Sequence, residues 1–159
     1  MGRLSHALGP DPGVLACAGP GRGRNCLPMP FELTWEPCGV YRRYHGDVTL
    51  AERRISFDRI CADPRFDALR YAITDYLDVK SYEITPRATK EIAALHIAPL
   101  HTNPRIVVAA VVVDPSIVEA IEHFISLAFT QLPYRIFPTQ QEARAWIDGL
   151  GPAQEHPRF

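Results

Sequence analysis

Residues 105–114 read Arg-Ile-Val-Val-Ala-Ala-Val-Val-Val-Asp, and this run constrains the fold more than any other part of the chain. A strand with one face in water alternates apolar and polar side chains, and residues 106–113 do not alternate at all. Such a segment reads as a strand covered on both faces, the usual condition in a parallel sheet flanked by helices. It is also far shorter than the roughly 18–20 apolar residues that cross a bilayer. No membrane span is expected.

The flanking segments supply the covering. Phe31, Leu33 and Trp35 alternate with Glu32, Thr34 and Glu36, which predicts a half-buried strand. Pro37-Cys38-Gly39 turns the chain into a second strand over 40–45, giving an antiparallel hairpin. Thr49 and Glu52 form a capping-box pattern for a helix to about Ala62, stopped by Asp63-Pro64. A third strand over 69–76 ends near Asp75, and 78–83 reads as loop. Thr85-Pro86 starts a helix to about His96, closed by Pro99 and Asn103-Pro104.

After the buried strand, Asp114-Pro115 starts another helix, expected to reach Leu132. Its wide apolar stripe runs from Ile117 through Ile121 and Phe124 to Ala128 and Phe129. A short strand over 134–137 follows. Thr139 and Glu142 form a second capping box, opening a last helix that ends at Gly149–Gly151 and buries Ala143, Trp146, Ile147 and Leu150. The order β-β-α-β-α-β-α-β-α predicts an α/β fold. Its mixed sheet has about five strands, an antiparallel N-terminal edge hairpin, a parallel centre and about four helices.

The domain is expected over 29–150. Residues 1–28 hold six of the ten glycines and four prolines, a composition that cannot offset the cost of ordering a backbone. We read them as a disordered tail, or as an over-extended reading frame with Met29 as the natural start. Residues 151–159 read as a second tail. Net charge is −1, and acidic side chains outnumber basic ones over 29–150, which argues against nucleic acid as a partner. The four cysteines (17, 26, 38 and 61) form no Cys-x-x-Cys pair, so a reducing cytosol is expected. His96 and His101 are five apart around Pro99, a poor spacing for two ligands on one helical face. No metal site and no cofactor are expected.

Four stretches together resemble a known family. They are residues 39–49 (Gly-Val-Tyr-Arg-Arg-Tyr-His-Gly-Asp-Val-Thr), 63–66 (Asp-Pro-Arg-Phe), the strand ending in Asp75, and 134–146 (Tyr-Arg-Ile-Phe-Pro-Thr-Gln-Gln-Glu-Ala-Arg-Ala-Trp). Over about 31–150 they look like the STAS-domain-like proteins, which share the fold of the sporulation anti-sigma-factor antagonists and, more loosely, of lipid-binding CRAL-TRIO domains. The resemblance implies a non-enzymatic regulatory module working by protein contact. The antagonists carry Asp-Ser-Ser-Gly between the third strand and its helix, with a phosphorylatable hydroxyl at the helix N-terminus. Here that stretch is Asp75-Tyr-Leu-Asp-Val-Lys-Ser-Tyr-Glu-Ile-Thr85, longer and without the motif. Ser81 and Thr85 are the candidate phosphoacceptors.

In open α/β sheets, ligands and partners meet the carboxyl ends of the strands. That edge should carry Asp75, Asp78, Ser81, Thr85 and Asp114. Asp75 and Asp114, on neighbouring strands, could share a proton with a raised pKa. The plainer roles are helix caps for Thr85 and Asp114, loop-amide binding for Asp75, and an exposed serine at 81. Arg42-Arg43 and Arg53-Arg54 read as solvated basic pairs. Three functions follow: a contact module with a protein partner or, as a homodimer, with a second copy of itself through the apolar helix face; a carrier or sensor of a small lipid-like ligand held between helix and sheet; and an enzyme using the two aspartates. No residue is assigned a catalytic role.

Overall fold

The computed structural model describes residues 29–127 and 133–151. They form a five-stranded sheet in the order β1-β2-β3-β4-β5. The strands are β1 (Phe31–Glu36), β2 (Gly39–Val48), β3 (Tyr71–Tyr82), β4 (Val107–Val111) and β5 (Tyr134–Phe137). The helices are α1 (Leu50–Cys61), α2 (Pro86–Thr102), α3 (Pro115–Ser126) and α4 (Gln140–Gly149). β1 pairs antiparallel with β2, and every later pair is parallel. The expected element order and mixed sheet are both present.

Burial follows the sequence argument through Val112 but not at Val113, which lies beyond the end of β4 at Val111 and is exposed. Ala109, Ala110 and Val111 have no exposed surface, and Val112 keeps 3%. Alternate residues of β4 serve different cores. Ala110 and Val112 join Phe31, Tyr44, Tyr76, Ile117 and Ile121 on one face of the sheet. Ala109 and Val111 join Ile73 and Ala143 on the other, with Trp146 and Ile147 of α4 packed against them. A further cluster of Val40, Ile60, Phe66, Leu69 and Ile106 extends the first face. Thus α1, α2 and α3 cover one side of the sheet and α4 the other.

Several boundaries differ from expectation. The segment 78–83 is strand through Tyr82, not loop. β2 runs on to Val48, and its far half pairs His45 with Asp78, Gly46 with Val79, Asp47 with Ser81 and Val48 with Tyr82. Pairing between distant segments overrides a local composition that reads as loop. Register shifts between Arg43 and His45 and between Gly46 and Asp47 absorb the mismatch, and Gly46 takes φ +65°, a conformation glycine adopts freely.

The helix α2 runs past Pro99 to Thr102. Proline removes one N–H, but the last turn is held by Asn103 N donating to Pro99 O at 2.9 Å and Thr102 Oγ1 donating to Ala98 O at 3.2 Å. Burial of Leu100 at 8% exposure anchors that turn. The helix α3 is described as Pro115–Ser126, with Leu127 N donating to His123 O at 3.0 Å, and the expected continuation over 128–132 lies outside the described residues. Ala128 and Phe129 of the expected stripe lie outside the described residues, as do the two terminal tails. At Thr49 both arms of the capping box form, whereas Thr139 supplies the forward arm, accepting from Glu142 N at 3.2 Å.

Asn103 closes the base of the domain. It is 2% exposed, and its Nδ2 donates to Phe66 O at 2.8 Å and to Leu69 O at 2.9 Å. Asn103→Ala removes the amide donor from Leu69 O and one of two donors from Phe66 O, which keeps Leu69 N at 3.1 Å, and should cost about 2 kcal/mol in urea unfolding. A loss under about 1 kcal/mol would mean water replaces the amide there.

Candidate functional site

The five edge residues are each occupied locally. Asp75 lies within β3 rather than at its end, paired with Arg43 on one side and Val111 on the other. It is buried, and its carboxylate accepts from the Tyr41 hydroxyl at 2.7 Å and from Leu77 N at 2.9 Å. Burial, reinforced by that carboxylate, pushes the Tyr41 hydroxyl well above its ordinary range. Asp78 accepts from Arg43 Nε at 2.8 Å and Nη2 at 2.6 Å. Ser81 donates to Asp47 at 2.6 Å. Thr85 caps α2 by accepting from Ala88 N at 3.0 Å.

Asp114 caps α3, accepting from Ser116 N at 2.8 Å and Ile117 N at 3.2 Å. The Ser116 hydroxyl, then the amides of Ile117 and Ser116, hold its carboxyl below the usual range. This is opposite to the raised value expected of a proton-sharing pair. Among the described residues Asp75 and Asp114 are not hydrogen-bonded to each other; each has its own donors. Leu77 and Val113, beside these aspartates in sequence, are 44% and 63% exposed.

A second location was not anticipated residue by residue. Between the sheet and the helices α1, α2 and α3 lies a partly open cavity of about 90 Å³. One water needs roughly 10–15 Å³ on this scale. Aromatic and aliphatic side chains make most of its wall, including Tyr44, Phe57, Tyr76, Ile92, Phe124 and Tyr134. Its polar lining is Arg42, Arg53, Thr74, His96 and the tyrosine hydroxyls, with no aspartate or glutamate.

Strand and helix geometry explain the two arginines. Consecutive strand residues point to opposite faces, so Arg43 turns outward to Asp78 and Glu32 while Arg42 turns into the cavity. On α1, Arg54 reaches outward to Glu91 at 2.6 Å. Arg53 shares the inward face with Ser56, Phe57 and Ile60, at helical spacing. Each basic pair thus sends one member out to a carboxylate and one member in without one.

Arg42 Nη2 donates to Thr74 Oγ1 at 2.9 Å, and Nη1 reaches Ser56 Oγ at 3.3 Å. Its guanidinium lies 5.1 Å from the Tyr44 ring centre, and its buried Nε has no partner among the described residues. Arg53, 8% exposed, donates to Glu83 O at 3.2 Å and sits 4.6 Å from the Tyr82 ring centre. Ser56 spends its proton on Arg53 O at 2.9 Å, so the Tyr44 hydroxyl donates to Ser56. Burial raises Tyr44, Tyr82 and Tyr134 above the ordinary phenol value, so all three are neutral at ordinary pH.

His96 stacks on Phe57 with ring centres 3.9 Å apart, meets Phe124 edge-on, and donates from Nδ1 to Ile92 O at 2.7 Å. Burial lowers its pKa from 6.5 to about 4, against the backbone bond and with help from the charges of Arg42 and Arg53. The cavity therefore holds two cations, neutral phenols and a neutral imidazole. Among the described residues no group of three or more His, Cys, Asp or Glu is placed to hold a metal ion. None of their helices is long and apolar enough to cross a membrane.

Residues 40–148 match the family model described as SpoIIAA-like. No curated protein matches. The solved anti-sigma factor antagonist SpoIIAA in its unphosphorylated form superposes with a TM-score of 0.53 at 12% identity, over 75% of this chain and 98% of that one. A DUF3478-family protein with a SpoIIAA-like fold from Shewanella loihica PV-4 aligns with a TM-score of 0.46 at 13% identity, over 74% and 91%.

The unfolded chain protonates His96 near 6.5 and the folded chain only near 4. The stability that depends on neutral His96 is full above pH 6.5 and is lost as pH falls toward 4. The loss should total roughly 2–3 kcal/mol. It is read as the change with pH in the stability gap between the native protein and His96→Phe. A gap that stays constant from pH 7 to 4 would show that His96 protonates freely in the fold.

Proposed function

This chain belongs to the SpoIIAA-like family, and on that premise we propose that it is a non-enzymatic regulatory module that senses or carries a small, largely apolar ligand. The observation that carries this reading is the cavity between the sheet and three helices, walled mainly by aromatic and aliphatic side chains. Cavities with such walls and a few fixed polar groups are the usual form of small-ligand sites. The edge aspartates are given no chemistry in this reading: each is engaged by its own donors. Free thiols at Cys38 and Cys61 suit the cytosolic setting we assign.

A protein-contact role has its own support. Leu77, Ile84 and Val113 are large apolar side chains left exposed near Asp75, Asp78, Thr85 and Asp114 in sequence. We assign partner binding to this edge, with Ser81 as its exposed hydroxyl. The helix α3 turns Ile117 and Ile121 inward, so a homodimer built on that helix would use its half-buried flank, Val118 and Ile125.

The ligand reading predicts that a small neutral fluorophore, 1-aminoanthracene, binds the purified full chain saturably at one site. Ala120 lines the cavity from α3, and Ala120→Phe should weaken that binding at least tenfold while leaving the melting temperature within a few degrees. Binding that fails to saturate, or that ignores Ala120→Phe, would remove the cavity from the function.

A further inference from the structure

We propose that the cavity selects a ligand with an oxyanion head, a carboxylate or phosphate ester, on an apolar body, and that Arg42 and Arg53 bind the head. This rests on the reading of the cavity as a ligand site and names the chemical class of the ligand. A guanidinium stays protonated at any ordinary pH. Burying one without an opposite charge is strongly unfavourable, and such groups are normally paired. Here two lie on one cavity, and among the described residues neither forms an ion pair, whereas their sequence neighbours Arg43 and Arg54 both do. The contrast is internal to the molecule: carboxylates answer the outward arginines and only neutral oxygens meet the inward ones.

The spare hydrogen-bonding capacity points the same way. Arg42 Nε is buried and unpartnered among the described residues, and a planar guanidinium suits two oxygens of one carboxylate or phosphate. The remaining polar groups do not compete with an anion. Thr74 and Ser56 fix Arg42, Tyr82 and Glu83 O fix Arg53, and His96 is tied to its own helix. The head site is thus held in place by neutral neighbours, and the apolar wall receives the rest of the molecule.

The test compares octanoate with 1-octanol by calorimetric titration of the full chain, using the native protein and Arg42→Met. The native protein should bind octanoate at least tenfold more tightly than octanol. R42M should lose that preference while its affinity for octanol stays within about twofold. Without ligand, R42M should melt at or above the native temperature, because an apolar side chain replaces a half-buried charge that has no ion-pair partner among the described residues. Equal affinities for octanoate and octanol in the native protein would overturn the head-group assignment and leave the ligand site standing. Binding of neither compound would overturn both. An R42M protein that unfolds or melts well below native would show that Arg42 serves the fold through Ser56 and Thr74, and would also overturn the assignment.

Discussion

The structure depends on β4 being dry on both faces. Ala109, Ala110 and Val111 expose no surface, and such a strand is stable only if a sheet neighbour lies on each side and a helix layer on each face. The connections then follow from chirality. Each parallel step, β2 to β3, β3 to β4 and β4 to β5, needs a crossover, and right-handed crossovers place α1, α2 and α3 together on one face. Only α4, after the last strand, is free to cover the other, which it does through Ala143, Trp146 and Ile147. The small side chain of Ala109 meets this layer at Ala143, while Ala110 faces the three-helix layer opposite. The cavity lies between the sheet and these three helices.

Most of this architecture was legible in the sequence, because its signals are local. The caps at Thr49, Thr85, Asp114 and Thr139 place the helix starts, and all four form in the structure. The places that failed to read are those where distant parts of the chain decide. Residues 78–82 look like loop, yet become strand because the far half of β2 needs a partner. Pro99 looks like a helix end, yet the helix continues because Leu100 gains a buried place and Asn103 ties the next turn to the base of the domain.

The candidate site shows the same division. The aspartates were found by position, and their occupants are near neighbours in sequence or on the adjacent strand. The cavity arginines are hard to read as such in the sequence, because a doublet of arginines usually marks a solvated patch. Periodicity held the missing signal: two consecutive residues of a strand cannot face the same way. Once 40–45 was placed as a strand with Val40 in the core, Arg42 and Tyr44 had to point inward with it. The spacing of Arg53, Ser56, Phe57 and Ile60 carries the same message on a helix.

In the antagonists that this chain resembles, a hydroxyl at the N-terminus of the helix after the third strand receives the charge that switches partners. Here the hydroxyl that opens the helix after the third strand, Thr85, holds the first turn of α2 by accepting from Ala88 N, after a strand that runs to Tyr82. A phosphate there would have to displace a cap worth about 1 kcal/mol. An anion delivered to the cavity faces no such competition, because Arg42 and Arg53 already wait without carboxylates. Its arrival would neutralise charge beside Tyr44 and Tyr82, on the same strands that carry Asp78 and Ser81 at the exposed edge. Under the proposed ligand reading, charge would enter with the ligand through Arg42 and Arg53, from the interior of the fold.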